Sequence, residues 1–311
     1  MSASLHPQAR ALAEAVWRPA DQQGPADLEA ERAAYLRTAL ELGGALEEVA
    51  RIEDVVVPRD DGGRVRARAY WPRVPAGTLG AVVWLHGGGW YVGDIETFDR
   101  VTRQLANACG AVCLSVDYRL APEHPFPAAV VDARAATAWL AGAGAREIGN
   151  DPERVVVGGD SAGGNLAAVV ARHLRSTLRA QLLVYPALDA AMSSPSYREF
   201  RDGPFVSAED MAFCWRTYLG EHGDPADPDA SPLGAEDLHG APPAFVAVAG
   251  HDPLRDDGLR YAEALRAAGV AVHLERYDDM PHGFIRWTGV ADRARELIKA
   301  LGGFARAAIA R

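Results

Sequence analysis

The run Gly159-Asp160-Ser161-Ala162-Gly163 follows an apolar stretch, Val155-Val156-Val157, and opens a helical stretch from Ala162. A serine set between small residues at a strand–turn–helix junction has its hydroxyl lifted clear of the sheet, as a nucleophile requires. A serine hydroxyl attacks weakly unless a base takes its proton, and the base needs a third group to orient it. A second signal is His86-Gly87-Gly88-Gly89-Trp90, directly after the apolar run 81–85. Three glycines in a row allow backbone paths closed to other residues and close approach to a ligand. Backbone N–H groups of such a loop can face an oxygen that gains negative charge during acyl transfer. The same glycines do not read as a phosphate cradle. No G-x-x-x-x-G-K-S/T pattern exists, and Lys299 is the only lysine in the chain.

These residues need elements to hold them. Residues 81–85 are continuously apolar, as in a strand buried on both faces. Residues 65–71 largely alternate apolar and charged, as a half-buried strand does. From about Val55 onward, short apolar runs alternate with helical stretches. Strands are expected over 111–116, 155–157, 182–185, 245–249 and 270–276. Helices are expected over 97–108, 128–141, 162–176, 256–268 and 291–310. That alternation predicts an α/β fold, a mainly parallel central sheet with helices on both faces. The first 50 residues read as two helical stretches, 7–16 and 26–42, around a turn-like 19–25. Residues 189–238 break the rhythm with many Pro, Asp and Gly and one helix, opened by a capping-box-like Ser207-Ala208-Glu209-Asp210. Met211, Trp215 and Tyr218 fall on one face of it, either packing on the core or forming part of a lid.

In such a sheet the acid and the histidine follow the serine in that order along the chain. Of the histidines after Ser161, His173 falls within a helix and His273 within a strand. His222 and His239 lie in or beside the irregular segment. His251 precedes the best acid. His282, in the loop after the strand 270–276, is where a base is expected. Asp252 is the first carboxylate after the strand 245–249 and is the expected orienter. Asp256 is the fallback, because it and Asp257 begin a helix, where carboxylates are favoured for another reason.

Composition narrows the partners. The chain has 311 residues and a net charge of −10, which disfavours nucleic acid and anionic membrane. No apolar run reaches the roughly 18 residues of a membrane span, and residues 1–10 show no signal pattern. Cys109, Cys113 and Cys214 form no disulfide framework and suggest buried thiols in a reducing compartment. A cytoplasmic protein without stable membrane association is expected.

Taken together, His86–Trp90, the run Asp117-Tyr118-Arg119-Leu120-Ala121-Pro122-Glu123, Gly159–Gly163, Asp252-Pro253-Leu254-Arg255-Asp256 and His282-Gly283-Phe284 resemble the hormone-sensitive-lipase-like family of bacterial carboxylesterases, within the α/β-hydrolase fold. The resemblance spans about Val55 to the C-terminus. It implies a single domain over 1–311, with a helical cap drawn from about 1–50 and 189–238. It implies hydrolysis of short to medium acyl esters through a serine ester, with Ser161 as nucleophile, His282 as base and Asp252 as orienter. It further implies backbone N–H groups of Gly88, Gly89 and Ala162 as oxyanion donors, and no metal or organic cofactor. It suggests that the 118–123 motif supports the oxyanion loop. An Arg119–Glu123 ion pair is a possibility there, and His86 is expected to fix the loop. Trp90, Phe205, Phe213 and Trp215 are candidate pocket walls. The partner is a small-molecule ester, and the protein is expected to be a monomer or homodimer. An amidase, arylformamidase, lactonase or deacetylase with the same triad stays open, as does a binding protein on a retired hydrolase scaffold.

Overall fold

The computed structural model describes residues 4–16, 27–75 and 79–311. The turn-like 19–25 lies outside them. In chain order the elements are α1 (Pro7–Val16), α2 (Leu28–Leu42), β1 (Arg51–Pro58), β2 (Arg64–Trp71), β3 (Ala81–Leu85), α3 (Ile95–Cys109), β4 (Val112–Asp117), α4 (Ala128–Leu140), α5 (Ala145–Ile148), β5 (Val155–Asp160), α6 (Ala162–His173), β6 (Leu178–Val184), α7 (Ser196–Glu199), α8 (Ala208–Leu219), β7 (Ala244–His251), α9 (Arg255–Ala267), β8 (Val272–Pro281) and α10 (Asp292–Ile309). The strands form one sheet in the order β1-β2-β4-β3-β5-β6-β7-β8. The pairs β1–β2 and β2–β4 are antiparallel, and the strands from β4 to β8 run parallel.

Side-chain alternation splits the core into two layers. Ala81, Val83 and Leu85 of β3 pack on the side of α4, α6 and α9, with Leu140, Val169 and Leu265. Val82 and Trp84 face the other way, onto Phe98 and Leu105 of α3 and Leu297 and Leu301 of α10. Both faces of the parallel strands are therefore apolar, which is why they read as continuous runs. Caps define several helix starts. Asp27 accepts from the Ala30 N–H at α2, and Asp94 from the Thr97 N–H at α3. At α8, Ser207 and Asp210 form the reciprocal box expected from sequence.

Several boundaries differ from the sequence expectation. β5 does not stop at 157; Gly158, Gly159 and Asp160 continue in register with Leu182, Leu183 and Val184 of β6. Glycine weakens a strand, but central ladder pairing on both sides overrides that preference. β6 starts at Leu178, which pairs with Val155 of β5, and its buried Gln181 donates its side-chain N–H to the Pro242 carbonyl. β8 runs on to Pro281, so His282 follows the strand directly instead of sitting farther out in a loop. The switch to strand before Val55 also comes earlier, at Arg51.

Candidate active site

The junction between β5 and α6 places Ser161 at φ 55° and ψ −119°, a left-handed conformation unfavourable for a residue with a Cβ. Its neighbours must be small. A Cβ on Gly163 would run into the Leu85 carbonyl oxygen, and one on Gly159 into the Gly163 carbonyl. The turn is held by the Ser161 N–H on Val184 O at 2.9 Å. His282 Nε2 lies 2.8 Å from Ser161 Oγ, and His282 Nδ1 lies 2.7 Å from Asp252 Oδ2. Asp252 is fully buried, with its second oxygen accepting the Leu254 N–H at 2.8 Å. Ser161 is 8 % exposed and His282 6 %, so the line of three opens to solvent only at the serine end. Three sheet strands, β5, β7 and β8, deliver these groups at their C-terminal ends.

The alternatives lie elsewhere. Asp256 accepts from the Ser196 N–H and pairs with Arg255. Asp257 is buried against Ser194 and Tyr197, and burial pushes its carboxyl up to about 7. His173 meets Asp229, His273 meets Glu275, and His251 packs on Phe200.

Gly88 and Gly89 take φ values of 125° and 55°, and a Cβ on Gly88 would collide with the Val92 carbonyl. Glycine is required there. The N–H groups of Gly88, Gly89 and Ala162 donate to no protein group among the described residues. They are free to bind an oxyanion. The loop is fixed from beneath. Tyr118 Oη donates to the His86 carbonyl at 2.7 Å and its ring stacks on the His86 imidazole at 4.2 Å. The Gly87 N–H donates to Asp160 Oδ1 at 2.9 Å. The 118–123 motif thus supports the loop, but not through an Arg119–Glu123 pair. Arg119 instead pairs with Asp132 at 2.9 Å, and Glu123 with Arg32 of α2 at 2.7 Å. Arg32 Nε also donates to the Tyr91 carbonyl at 2.8 Å, tying α2 to the loop. Nothing in the local sequence marks Arg32, since its partners lie far along the chain.

Burial pushes His86 down to about 4 and Asp160 up to about 7. Because His86 titrates below its ordinary 6.5, the unfolded chain binds a proton between pH 6.5 and 4 that the folded chain lacks. Stability therefore falls as pH drops through that window. Asp160, raised above its ordinary value, acts in the opposite sense as pH rises toward 7. A His86→Gln variant removes the first titration alone. Between pH 7 and 4.5 the native chain is expected to lose about 2–3 kcal/mol more than this variant in denaturant unfolding. Parallel pH curves would show that His86 protonates freely in the folded state.

A cavity of about 310 Å³ opens over the serine, bounded by Gly88, Gly89, His282, residues of α2 and residues 205–214. Larger clefts of about 450 and 390 Å³ lie beside Lys299 and beside Asp117, away from any serine–histidine pair. Of the four expected wall aromatics, only Phe205 lines the cavity. Trp90 and Trp215 are 1 % and 2 % exposed; Trp90 stacks on Tyr218 at 4.3 Å and meets Trp215 at 4.5 Å behind the loop. Phe213 packs edge-on against Tyr91. The face of α8 is divided between cavity and core. Met211 lines the cavity, while Trp215 and Tyr218 fill the core one turn later. Sequence reasoning missed Tyr35 and Arg286, which line the same cavity. Among the described residues, no three His, Cys, Asp or Glu side chains are grouped to hold a metal ion, and no helix is long and apolar enough to cross a membrane.

Residues 82–286 match a family model described as alpha/beta hydrolase fold. Carboxylesterase NlhH of Mycobacterium tuberculosis is 44 % identical over 253 residues, 79 % of each chain. Ethyl acetate hydrolase of Pseudomonas putida is 34 % identical over 82 % of each chain. A solved structure, the hyperthermophilic esterase from the archaeon Pyrobaculum calidifontis, superposes with a TM-score of 0.89 at 39 % identity, covering 98 % of this chain and 99 % of that one. In sequence and in architecture alike, the chain belongs to the hormone-sensitive-lipase-like carboxylesterases of the α/β-hydrolase fold.

Proposed function

We propose that the protein is a serine carboxylesterase that hydrolyses short to medium acyl esters through an acyl-enzyme. The observation that carries this is the hydrogen-bonded line from Ser161 through His282 to Asp252, opening into a cavity edged by Gly88 and Gly89. In this reading His282 takes the Ser161 proton as Oγ attacks the ester carbonyl. Asp252 stabilises the imidazolium that forms. The tetrahedral oxyanion accepts from the Gly88, Gly89 and Ala162 N–H groups; losing one such donor elsewhere has cost roughly 3–4 kcal/mol. Protonated His282 returns its proton to the leaving alcohol. Water, deprotonated by His282, then cleaves the acyl-enzyme and frees Ser161. Residues 1–311 act as one domain, with a helical cap drawn from about 1–50 and 189–238; residues of α2 and of the stretch 205–214 line the cavity. Three buried free thiols support a reducing compartment, the cytoplasm.

The test is a series of p-nitrophenyl esters from acetate to palmitate. The acyl chain and the p-nitrophenyl group share a cavity of about 310 Å³, so short and medium chains are expected to seat more readily than a palmitoyl chain. kcat/KM is expected to peak among short and medium chains and to fall steeply by palmitate. A rate that keeps climbing to palmitate would overturn the chain-length reading; no turnover of any ester would overturn the esterase reading.

A further inference from the structure

Arg286 closes the 3-10 turn that follows His282 and stands in the wall of the serine's cavity. Its guanidinium lies over the Tyr35 ring of α2, 3.9 Å from the centroid. Nε and Nη1 are closed to solvent and donate to no group among the described residues, while Nη2 keeps accessible surface and has no acceptor there either, so it is the nitrogen a ligand could reach. No carboxylate among those residues is within ion-pair distance of it, although its charge acts on the buried Asp160 nearby and draws that carboxyl down against the effect of burial. Elsewhere the cavity-side and buried arginines are engaged: Arg32 by Glu123, Arg119 by Asp132, Arg255 by Glu199 and Asp256. Arginine carries five N–H donors and keeps its charge under all ordinary conditions. Shielded donors without acceptors are costly, so an aliphatic side chain would make a better inert wall. The stacking on Tyr35 holds the guanidinium in place without using its in-plane donors.

We propose that Arg286 is a specificity-determining residue that binds an oxygen acceptor, carbonyl or carboxylate, on the non-reacting part of the ester. The inference rests on the esterase reading above and sharpens its substrate class: esters carrying a second oxygen function rather than plain hydrocarbon chains. The wall is polar on this side, since Glu31, Thr38, Asp160 and Asp210 also border the cavity. Asp210 is engaged by Ser207, and Asp160 by the Gly87 N–H. An incoming carboxylate would meet charges of both signs, whereas a carbonyl would meet the donors alone, so the two are separated by experiment.

The experiment measures kcat/KM by pH-stat for methyl hexanoate, its δ-keto analogue and monomethyl glutarate, each normalised to its alkaline hydrolysis rate. The three are close in size and differ in the distal group. Wild type is expected to favour one oxygenated ester over methyl hexanoate by about 10- to 100-fold, the range of a hydrogen bond to a charged group. Preference for the ketone identifies a neutral ligand, and preference for the glutarate an anionic one. Arg286→Leu is expected to bring that ratio near one, while Arg286→Lys retains part of it. A wild-type ratio near one overturns the proposal, as does an equal loss on all three esters in Arg286→Leu. If the leucine variant does not fold, the wild-type ratio and the lysine variant decide. Turnover of methyl hexanoate without preference sinks this inference alone; absence of turnover on every ester sinks the esterase reading with it.

Discussion

Ser161→Ala is expected to lower kcat on p-nitrophenyl butyrate by about 10⁶-fold, the loss seen when a triad nucleophile is removed. Among the described residues the serine hydroxyl has one partner, His282 Nε2, and it lines the cavity. Its deletion leaves no bonded backbone group unsatisfied. The turn is held by the backbone of residue 161, through Val184 O and the Asn165 and Ala187 N–H groups, and alanine keeps all of these. At φ 55° alanine is as strained as serine, so the melting temperature should hardly move. The folded variant should still bind ester, because the oxyanion donors and cavity walls remain. Residual catalysis above background reports those donors alone. A folded Ser161→Ala protein that retained even a hundredth of native turnover would place the nucleophile elsewhere.

Asp252→Asn is expected to reduce kcat by about 10⁴-fold with a much smaller effect on KM. The reason lies in the second carboxylate oxygen. Asp252 Oδ1 accepts the Leu254 N–H, so an asparagine would keep its carbonyl there and turn its NH₂ toward His282 Nδ1. Nδ1 must then accept, which moves the ring proton to Nε2. That nitrogen faces Ser161 Oγ as a donor and can no longer take its proton. Asp256→Asn is the control: its carboxylate serves Ser196 and Arg255, so its loss should cost activity less than tenfold. Comparable losses in the two variants would remove Asp252 from its special place.

The groups that meet around Ser161 were legible because each is tied to a backbone requirement. Gly159 and Gly163 must be small for the turn to close, and Gly88 and Gly89 must take left-handed φ values. Asp252 follows β7, whose apolar run is plain; β8, which precedes His282, is mostly polar, and only its first residues read as a strand. The parallel core was readable for a related reason, since strands buried on both faces are apolar throughout. Partnerships between long side chains were not readable. Arg119 and Glu123 are four apart in sequence, yet each finds its partner across the fold, on α4 and α2. Three of the four expected wall aromatics lie off the cavity for a similar reason. Trp90 and Trp215 are large enough to serve as either core or pocket, and only the crossing of α8 over the loop sends them inward. Arg286 carries no local mark at all; its position follows from Tyr35, which sits near the other end of the chain.

The order in which the sheet's C-terminal edge is completed bears on how the chain behaves during synthesis. The Ser161–His282 contact spans 121 residues, and the strand that carries the histidine is the last to be translated and an edge of the sheet. A nascent chain emerging from the ribosome therefore presents its hydroxyl, and then its carboxylate, with no imidazole between them. On the proposed mechanism no hydrolytic centre forms until β8 emerges and docks on β7, so a prematurely released polypeptide is expected to be inactive toward esters.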